Sequence, residues 1–193
     1  MQRTAAIFTL ALSVTLAACS HDGRSLRAAE PNQTASILTT PDTVVGPTKP
    51  VDFQVFASWE DGADILPEFT CAGANESPSV AFEGVPSSAK ELVIVASDPD
   101  GTKRWIVAGI APSTTAIAAK LTPKDAVQLR NDVGDYRYDG PCPAPGVRQA
   151  FVITAYALSA KSLLTTDSDP KTLMNIIDPL VIKTASITGY FTR

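Results

Sequence analysis

The sequence predicts a mainly β protein with a few short helices, and three observations support that class. Five short segments are rich in β-branched and aromatic residues and are bounded by turn residues, as strands are. One of them, Glu91–Ser97, is a nearly continuous apolar run, which predicts a central strand covered on both faces. Helix signals are few, and long turn-rich loops separate the apolar segments. The predicted strands are Phe53–Ser58, Glu91–Ser97, Trp105–Ile110, Phe151–Ala157 and Ser186–Phe191.

Two Asp-Pro pairs near the C-terminal end predict short helices. In Asp169–Pro170 the aspartate suits the N-cap and the proline suits the first helical position, and the apolar residues that follow would share one face. Asp178–Pro179 repeats the signal, so we expect a break and a second short helix that ends near Ala185. Thr122–Pro123 predicts one further helical turn.

The N-terminal segment predicts export and a lipid anchor. After Arg3 comes an uncharged apolar run of 14 residues, Ala5–Ala18. A bilayer-spanning helix needs about 20 residues, whereas a short apolar run after a basic start is typical of a signal peptide. The run ends in Leu-Ala-Ala before Cys19, which resembles the lipobox of bacterial lipoproteins. We therefore expect cleavage before Cys19 and a diacylglyceryl thioether on its thiol; the alternative is an ordinary secretory signal with a chance cysteine.

The rest of the chain divides into a tether and one domain. If 1–18 is a signal peptide, 19–50 begins with the lipidated cysteine, and its Ser, Thr, Pro, Asp and Asn content predicts a disordered tether. The remaining 51–193 is long enough for a single domain with a sizeable core. Without Arg3 the mature chain has 15 Lys and Arg against 20 Asp and Glu, with no basic stripe, so nucleic acid is not an expected partner.

Three cysteines remain to be assigned. If Cys19 carries lipid, Cys71 and Cys142 are left as a pair in an oxidising compartment, which predicts a disulfide between them. The alternative is two separate buried thiols. The single histidine, His21, lies in the predicted tether, and the domain has no Cys-x-x-Cys pair, so neither a zinc site nor a cofactor is expected.

Two loops carry residues that could bind a ligand. Ser97–Gly101 follows the most buried predicted strand and places Asp98 and Asp100 at a strand end, where they could accept from a ligand or exchange protons. The same residue types are equally typical of a plain Pro-Asp-Gly turn. The loop Asp135–Gly146 combines aromatic residues with a rigid Pro- and Gly-rich end, so it either lines a cleft or serves only as a connection. No catalytic triad or phosphate-binding loop is recognisable, and no enzymatic activity is predicted.

A series of motifs in 51–193 resembles, in order, the phosphatidylethanolamine-binding protein (PEBP) family, in its bacterial Raf-kinase-inhibitor-like (YbhB/YbcL-type) branch. The resemblance implies a large antiparallel sheet packed on a smaller sheet with a few short helices. It also implies a shallow pocket for an anion such as phosphate or for a phospholipid head group. The motifs are Asp61–Gly62, Ile65–Pro67, Phe69–Pro78, Phe82–Pro86, Asp98–Asp100, Trp105–Val107, Arg130–Asp132, Gly140–Pro143, Ala155–Leu158 and Thr188–Arg193.

Carried over by position, the resemblance also implies which residues form the pocket. Arg104 and Gln149 occupy the places of two family histidines, so the sequence departs from the family at the site itself. We expect Asp98, Arg104 and Gln149 to converge. Arg104 could bind an anion together with Arg148, because guanidinium groups suit phosphate; alternatively, Arg104 pairs with Asp98 and fills the pocket. The implied pocket residues are Asp98, Asp100, Arg104, Gly140, Cys142, Pro143, Gln149 and Phe151.

Two functions are compatible with this pattern. The first is an exported, membrane-anchored, non-enzymatic binding module for a small anion or a phospholipid head group. The second is a protein-interaction module with a degenerate pocket, since relatives in the family include kinase and protease inhibitors. A bound anion would favour the first function, and a filled pocket with an exposed apolar patch would favour the second.

Overall fold

The computed structural model describes residues 51–193, and within them two antiparallel sheets pack against each other around one core. The predictions of a signal peptide at 1–18, of lipid on Cys19 and of a tether at 19–50 lie outside the described residues. The smaller sheet has the order β1-β2-β5 and the larger one β6-β4-β3-β7-β8, which confirms the mainly β class. The strands are β1 Gln54–Ala57, β2 Val80–Glu83, β3 Glu91–Ser97, β4 Lys103–Ile110, β5 Ala116–Ile117, β6 Val127–Gln128, β7 Arg148–Leu158 and β8 Val181–Thr192.

The central strand β3 has the bounds that the sequence predicts, and its surroundings explain its composition. It pairs with β4 on one side and with β7 on the other. On one face Ile94 joins the core between the two sheets. On the opposite face Val95 joins a second cluster with Leu173 and Ile177 from the single α-helix of the described residues, α1 Leu173–Ile177. Both faces of β3 are therefore buried, which requires a continuous apolar run rather than an alternating one.

The C-terminal helix prediction is partly wrong. α1 begins three residues after Pro170, and Asp169 instead closes a turn by accepting from the Thr172 amide at 3.1 Å. The second predicted helix is only a single 3₁₀ turn, Asp178–Leu180. β8 begins directly after it at Val181, because the β-branched residues there pair with β7 along its whole length. No helix forms after Thr122, where the chain makes only a turn.

Four short elements were not predicted from the sequence: the strands β2, β5 and β6 and a 3₁₀ turn at Pro67–Phe69. Segments of two to four residues contain too little periodicity to be recognised, and they form because longer neighbours present an edge to them. Within the residues that the structure describes, no helix has both the length and the apolar character needed to cross a membrane.

The predicted disulfide is present. Cys71 and Cys142 are bonded, with their Cα atoms 5.3 Å apart and a sequence separation of 71. The bond joins the segment after the 3₁₀ turn at Pro67–Phe69 to the Pro- and Gly-rich loop before β7, and it thereby holds two parts of the candidate site together.

Candidate functional site

The ends of three neighbouring strands bring Asp98, Arg104 and Gln149 together, as expected. Asp98 directly follows β3, Arg104 is the second residue of β4, and Gln149 is the second residue of β7. Because β3 is antiparallel to both neighbours, the end of β3 meets the beginnings of β4 and β7. Gln149 Nε2 donates to Asp98 Oδ1 at 2.7 Å, and Arg104 Nε donates to Asp98 Oδ2 at 2.6 Å.

A second carboxylate, which the sequence analysis did not identify, holds the other side of the guanidinium group. Arg104 Nη1 donates to Asp139 Oδ2 at 2.8 Å. The backbone amide of Asp139 donates to the Arg104 carbonyl at 3.1 Å, so main-chain and side-chain contacts support each other. Asn75 Nδ2 donates to Asp139 Oδ1 at 2.9 Å, and the Gly140 amide donates to Asn75 Oδ1 at 2.7 Å. We call Asn75, Asp98, Arg104, Asp139 and Gln149 the Arg104 cluster.

The Arg104 cluster contains one positive and two negative side chains and therefore has a formal charge of −1. Its charged side chains are mostly buried: Asp98 is 6 % exposed, Arg104 18 % and Asp139 19 %. Burial raises the pKa of Asp98, and the hydrogen bonds from Arg104 and Gln149 oppose that rise. Burial alone would lower the pKa of Arg104, but the two carboxylates outweigh it and hold the pKa above its usual value. Arg104 is therefore a permanent cation whose charge is already committed to protein groups.

Three aromatic rings close to the cluster in sequence form part of the core. Tyr138 meets Trp105 and Phe151 edge-to-face, with ring centroids 5.6 and 6.0 Å apart. Its hydroxyl donates to the Phe69 carbonyl at 2.8 Å, and burial raises its pKa well above the usual range. Phe151 is fully buried, so its side chain packs in the core and is not exposed as a ligand contact. The inward-facing position of Phe151 in β7 explains this burial.

Asp100 forms a turn rather than a part of the Arg104 cluster. Its Oδ1 accepts from the Thr102 amide at 2.9 Å, and Gly101 has a φ of +87°, which favours glycine. The hydrogen bonds from Thr102 lower the pKa of Asp100, which is exposed. The turn interpretation therefore accounts for Asp100, whereas Asp98 belongs to a buried network.

The loop residues that the resemblance implied serve to shape the backbone. Gly140 and Pro143 are buried, and Cys142 is part of the disulfide. A side chain at position 140 would collide with the Phe69 carbonyl, so only glycine allows the loop to approach so closely. These residues position Asp139, and their role as direct ligand contacts stays a prediction.

Arg148 does not join Arg104. Arg148 Nη2 pairs with Asp64 Oδ1 at 3.0 Å, and its guanidinium carbon lies 3.9 Å from the centre of the Tyr190 ring. The two arginines that could have bound one anion together are thus engaged in separate contacts.

Two members of the Arg104 cluster, Asn75 and Asp139, were missed in the sequence, although both lie within segments that stood out there. Asn75 belongs to the motif Phe69–Pro78 and Asp139 to the loop Asp135–Gly146. Nothing in either segment signals that the two side chains meet, because 64 positions separate them. Among the described residues no group of three or more His, Cys, Asp or Glu is arranged to hold a metal ion.

Comparisons with known proteins agree with this architecture. A family model described as "Phosphatidylethanolamine-binding protein" matches residues 57–192. A UPF0098 protein of Methanothermobacter thermautotrophicus is 30 % identical over 145 residues, covering 70 % of this chain and 95 % of the relative. The protein named "Putative lipoprotein LppC" of Mycobacterium tuberculosis is 36 % identical over 144 residues, covering 71 % of this chain and 69 % of the relative. The crystal structure of Escherichia coli YbcL, described as a member of the mammalian PEBP family, has a TM-score of 0.69 at 26 % identity and covers 74 % of this chain and 99 % of YbcL.

Proposed function

This chain belongs to the phosphatidylethanolamine-binding protein family, and we propose that it is an exported, membrane-anchored, non-enzymatic binding module whose ligand is a protein. The observation that carries the proposal is the position of Arg104 between Asp98 and Asp139. The place where the family resemblance implies a small anion is filled by a side chain of the protein itself.

The electrostatics of the Arg104 cluster disfavour a simple anion. A phosphate would have to compete with Asp98 and Asp139 for the guanidinium group or displace one of them, since both carboxylates already accept hydrogen bonds from it. A hydrogen bond to a charged group contributes roughly 1.5–3 kcal/mol, and the phosphate would lose part of that to repulsion from the displaced carboxylate. Asp100 adds a further negative charge nearby. Arg104 thus acts as an internal substitute for a ligand.

Membrane anchoring is the second part of the proposal. The apolar segment before Cys19 ends in the lipobox-like pattern described above, and the mycobacterial relative carries the name "Putative lipoprotein LppC". Lipid on Cys19 would hold the domain at a membrane surface. Cys19→Ala should release the protein from the membrane fraction or leave it unprocessed. A mature N-terminus elsewhere, with no acyl group in mass spectrometry, would contradict the anchor.

The state of the titratable groups in and beside the Arg104 cluster supports the non-enzymatic part of the proposal. The only histidine of the sequence is His21, which lies outside the domain. Asp98 and Asp139 are bound to Arg104, and Asp100 is bound to its own turn. None of these carboxylates is left as a free general base beside an exposed nucleophile.

A phospholipid head group is the second candidate, and a specific observation favours it. Phosphorylethanolamine carries an ammonium group as well as a phosphate, and the Arg104 cluster also contains charges of both signs. An ammonium group could contact Asp139 or Asp98 while the phosphate approaches Arg104, which still has 18 % of its side chain exposed. A zwitterion would thereby avoid the repulsion that a simple anion meets.

Titration calorimetry with phosphate and with phosphorylethanolamine tests the proposal. We expect no measurable heat from either ligand with the wild-type protein. Asp139→Asn removes one negative charge from Arg104, and weak, roughly millimolar phosphate binding should appear. Asp132→Asn is the matched control. Asp132 lies outside the cluster and pairs with Lys103, the residue that precedes Arg104 on β4.

Two other calorimetric outcomes would support a small-molecule ligand instead of a protein. Phosphate binding by the wild type that disappears in Arg104→Ala would refute the protein-ligand proposal in favour of an anion site. Heat from phosphorylethanolamine alone would select the head-group candidate.

A further inference from the structure

An open groove lies where the edge strands of the two sheets come together. Among the described strands β1 pairs with β2 alone and β8 with β7 alone, so each is the outermost strand of its sheet. The groove has a volume of about 740 Å³, and we call it the β1–β8 groove. Its lining residues are Phe53, Gln54, Val55, Phe56, Ala57, Ser58, Trp59, Glu60, Asp61, Ala185, Ser186 and Ile187.

Part of the outer edge of β8 is covered and part is open. Residues 62–65 bond to outward backbone groups of Thr188 and Tyr190, and the Thr188 amide donates to Asp61 Oδ1 at 2.8 Å. Because outward and inward backbone groups alternate along an antiparallel strand, Thr184 and Ser186 also direct N–H and C=O groups outward. In the described part of the chain neither residue has a backbone partner on that side. The open stretch therefore offers unpaired donors and acceptors beside the groove.

The lining of the groove indicates which side chains an occupant should carry. Most of it is apolar, and Phe56 remains 40 % exposed. The charged residues in the lining are Glu60 and Asp61, and no lysine or arginine of residues 51–193 is part of the lining. An occupant that matches this surface has apolar side chains along its length and a positive charge near Glu60 and Asp61.

We propose that the β1–β8 groove binds an extended protein segment that carries apolar residues and a lysine or arginine at one end, by strand addition at Thr184–Ser186. Unpaired edge groups bind such segments through main-chain hydrogen bonds, and the neighbouring side chains select the sequence. The inference rests on the proposed function, because it assigns the surface through which a protein-binding module would act. It is independent of the Arg104 cluster, which none of the lining residues belongs to.

Two synthetic octapeptides test the groove. The first has two lysines followed by alternating valine and threonine. The second has two glutamates in place of the lysines. The protein is the mature chain from residue 19 with Cys19→Ser, and binding is followed by fluorescence polarisation at low salt. We expect the lysine peptide to bind about tenfold more tightly than the glutamate peptide. Hydrogen exchange should slow at the amides of Thr184 and Ser186 when the lysine peptide is bound.

Matched variants distinguish binding in the groove from nonspecific binding elsewhere on the surface. Phe56→Ser should weaken binding of the lysine peptide, whereas Leu163→Ser, at an exposed leucine outside the groove, should not. Glu60→Lys should reverse the preference between the two peptides. Glu68→Lys makes the same charge change at an exposed position outside the groove and should leave the preference unchanged.

Three results would overturn the inference. The first is that the two peptides bind equally well or that neither binds. The second is that the peptide slows hydrogen exchange at amides other than those of Thr184 and Ser186. The third is that exchange at those two amides slows with protein concentration in the absence of peptide, which would identify a second copy as the occupant. Failure here with no heat in the phosphate titrations would reject the groove and leave the proposed function standing. Phosphate binding through Arg104 would reject the proposed function whatever the peptides do.

Discussion

The Arg104 cluster and the β1–β8 groove are two regions of one domain that differ in how their polar groups are used. In the cluster, the guanidinium group of Arg104 and both oxygens of Asp98 already have protein partners. In the groove, backbone groups of Thr184 and Ser186 have none in the described chain, and the apolar side chain of Phe56 is exposed. Polar groups that lack protein partners are available to a ligand, so the β1–β8 groove is better suited to binding than the Arg104 cluster, to which the family resemblance points.

Removing the disulfide should have the largest effect on this comparison. Cys71→Ser with Cys142→Ser releases a link across 71 positions, which lowers the free energy of unfolding by about 4 kcal/mol on the chain-entropy argument. The bond also joins the segment that holds Asn75 to the loop that holds Asp139, so hydrogen exchange should accelerate in the Arg104 cluster before the groove. Urea denaturation measures the first effect. A loss below about 1 kcal/mol, or faster exchange in β1 first, would contradict the structural link between disulfide and cluster.

Removing Arg104 should have the next largest effect. Arg104→Ala leaves two largely buried carboxylates without their cation, which should lower the free energy of unfolding by roughly 3 kcal/mol. This is the lower end of the range for breaking a buried ion pair, because the three side chains keep some solvent exposure. Arg148→Ala is the matched control. Its ion pair with Asp64 is exposed, so its loss should cost about 1 kcal/mol or less. Equal losses in the two variants, measured in the same denaturant series, would show that the cluster is not a buried network.

The smallest predicted effect is a difference in acid titration between Asp98 and Asp100. Burial raises the pKa of Asp98, so folding favours its neutral form, and that stabilisation is present at low pH and is lost as pH rises through the folded pKa. Hydrogen bonds from Thr102 lower the pKa of Asp100, so its contribution is present above the unfolded pKa and is lost as pH falls through the folded pKa.

Carboxyl carbon chemical shifts in an NMR titration would check that difference. Asp98 should titrate at a higher pH than Asp100, and Asp98→Asn should remove the upper transition only. The reverse order would mean that the hydrogen bonds from Arg104 and Gln149 outweigh burial and that the cluster holds its anion more firmly than its exposure indicates.

Local patterns were sufficient for much of this molecule. The apolar run Glu91–Ser97 predicted a buried central strand with its observed bounds, because burial on both faces leaves a direct trace in composition. The cysteine count, taken with the predicted export, led to the disulfide, and the ordered motifs led to the fold and to the meeting of Asp98, Arg104 and Gln149.

Only the tertiary structure decided what those residues do. Asp139 and Asn75 are far apart in the chain and carry no signal of meeting, yet they determine that the charge of Arg104 is used internally. In the same way, β8 replaced a predicted helix because pairing with β7 outweighs a local Asp-Pro signal at Asp178. Long-range contacts set the partners of a charge and the pairing of a strand edge, since both depend on which groups lie within hydrogen-bond distance after folding.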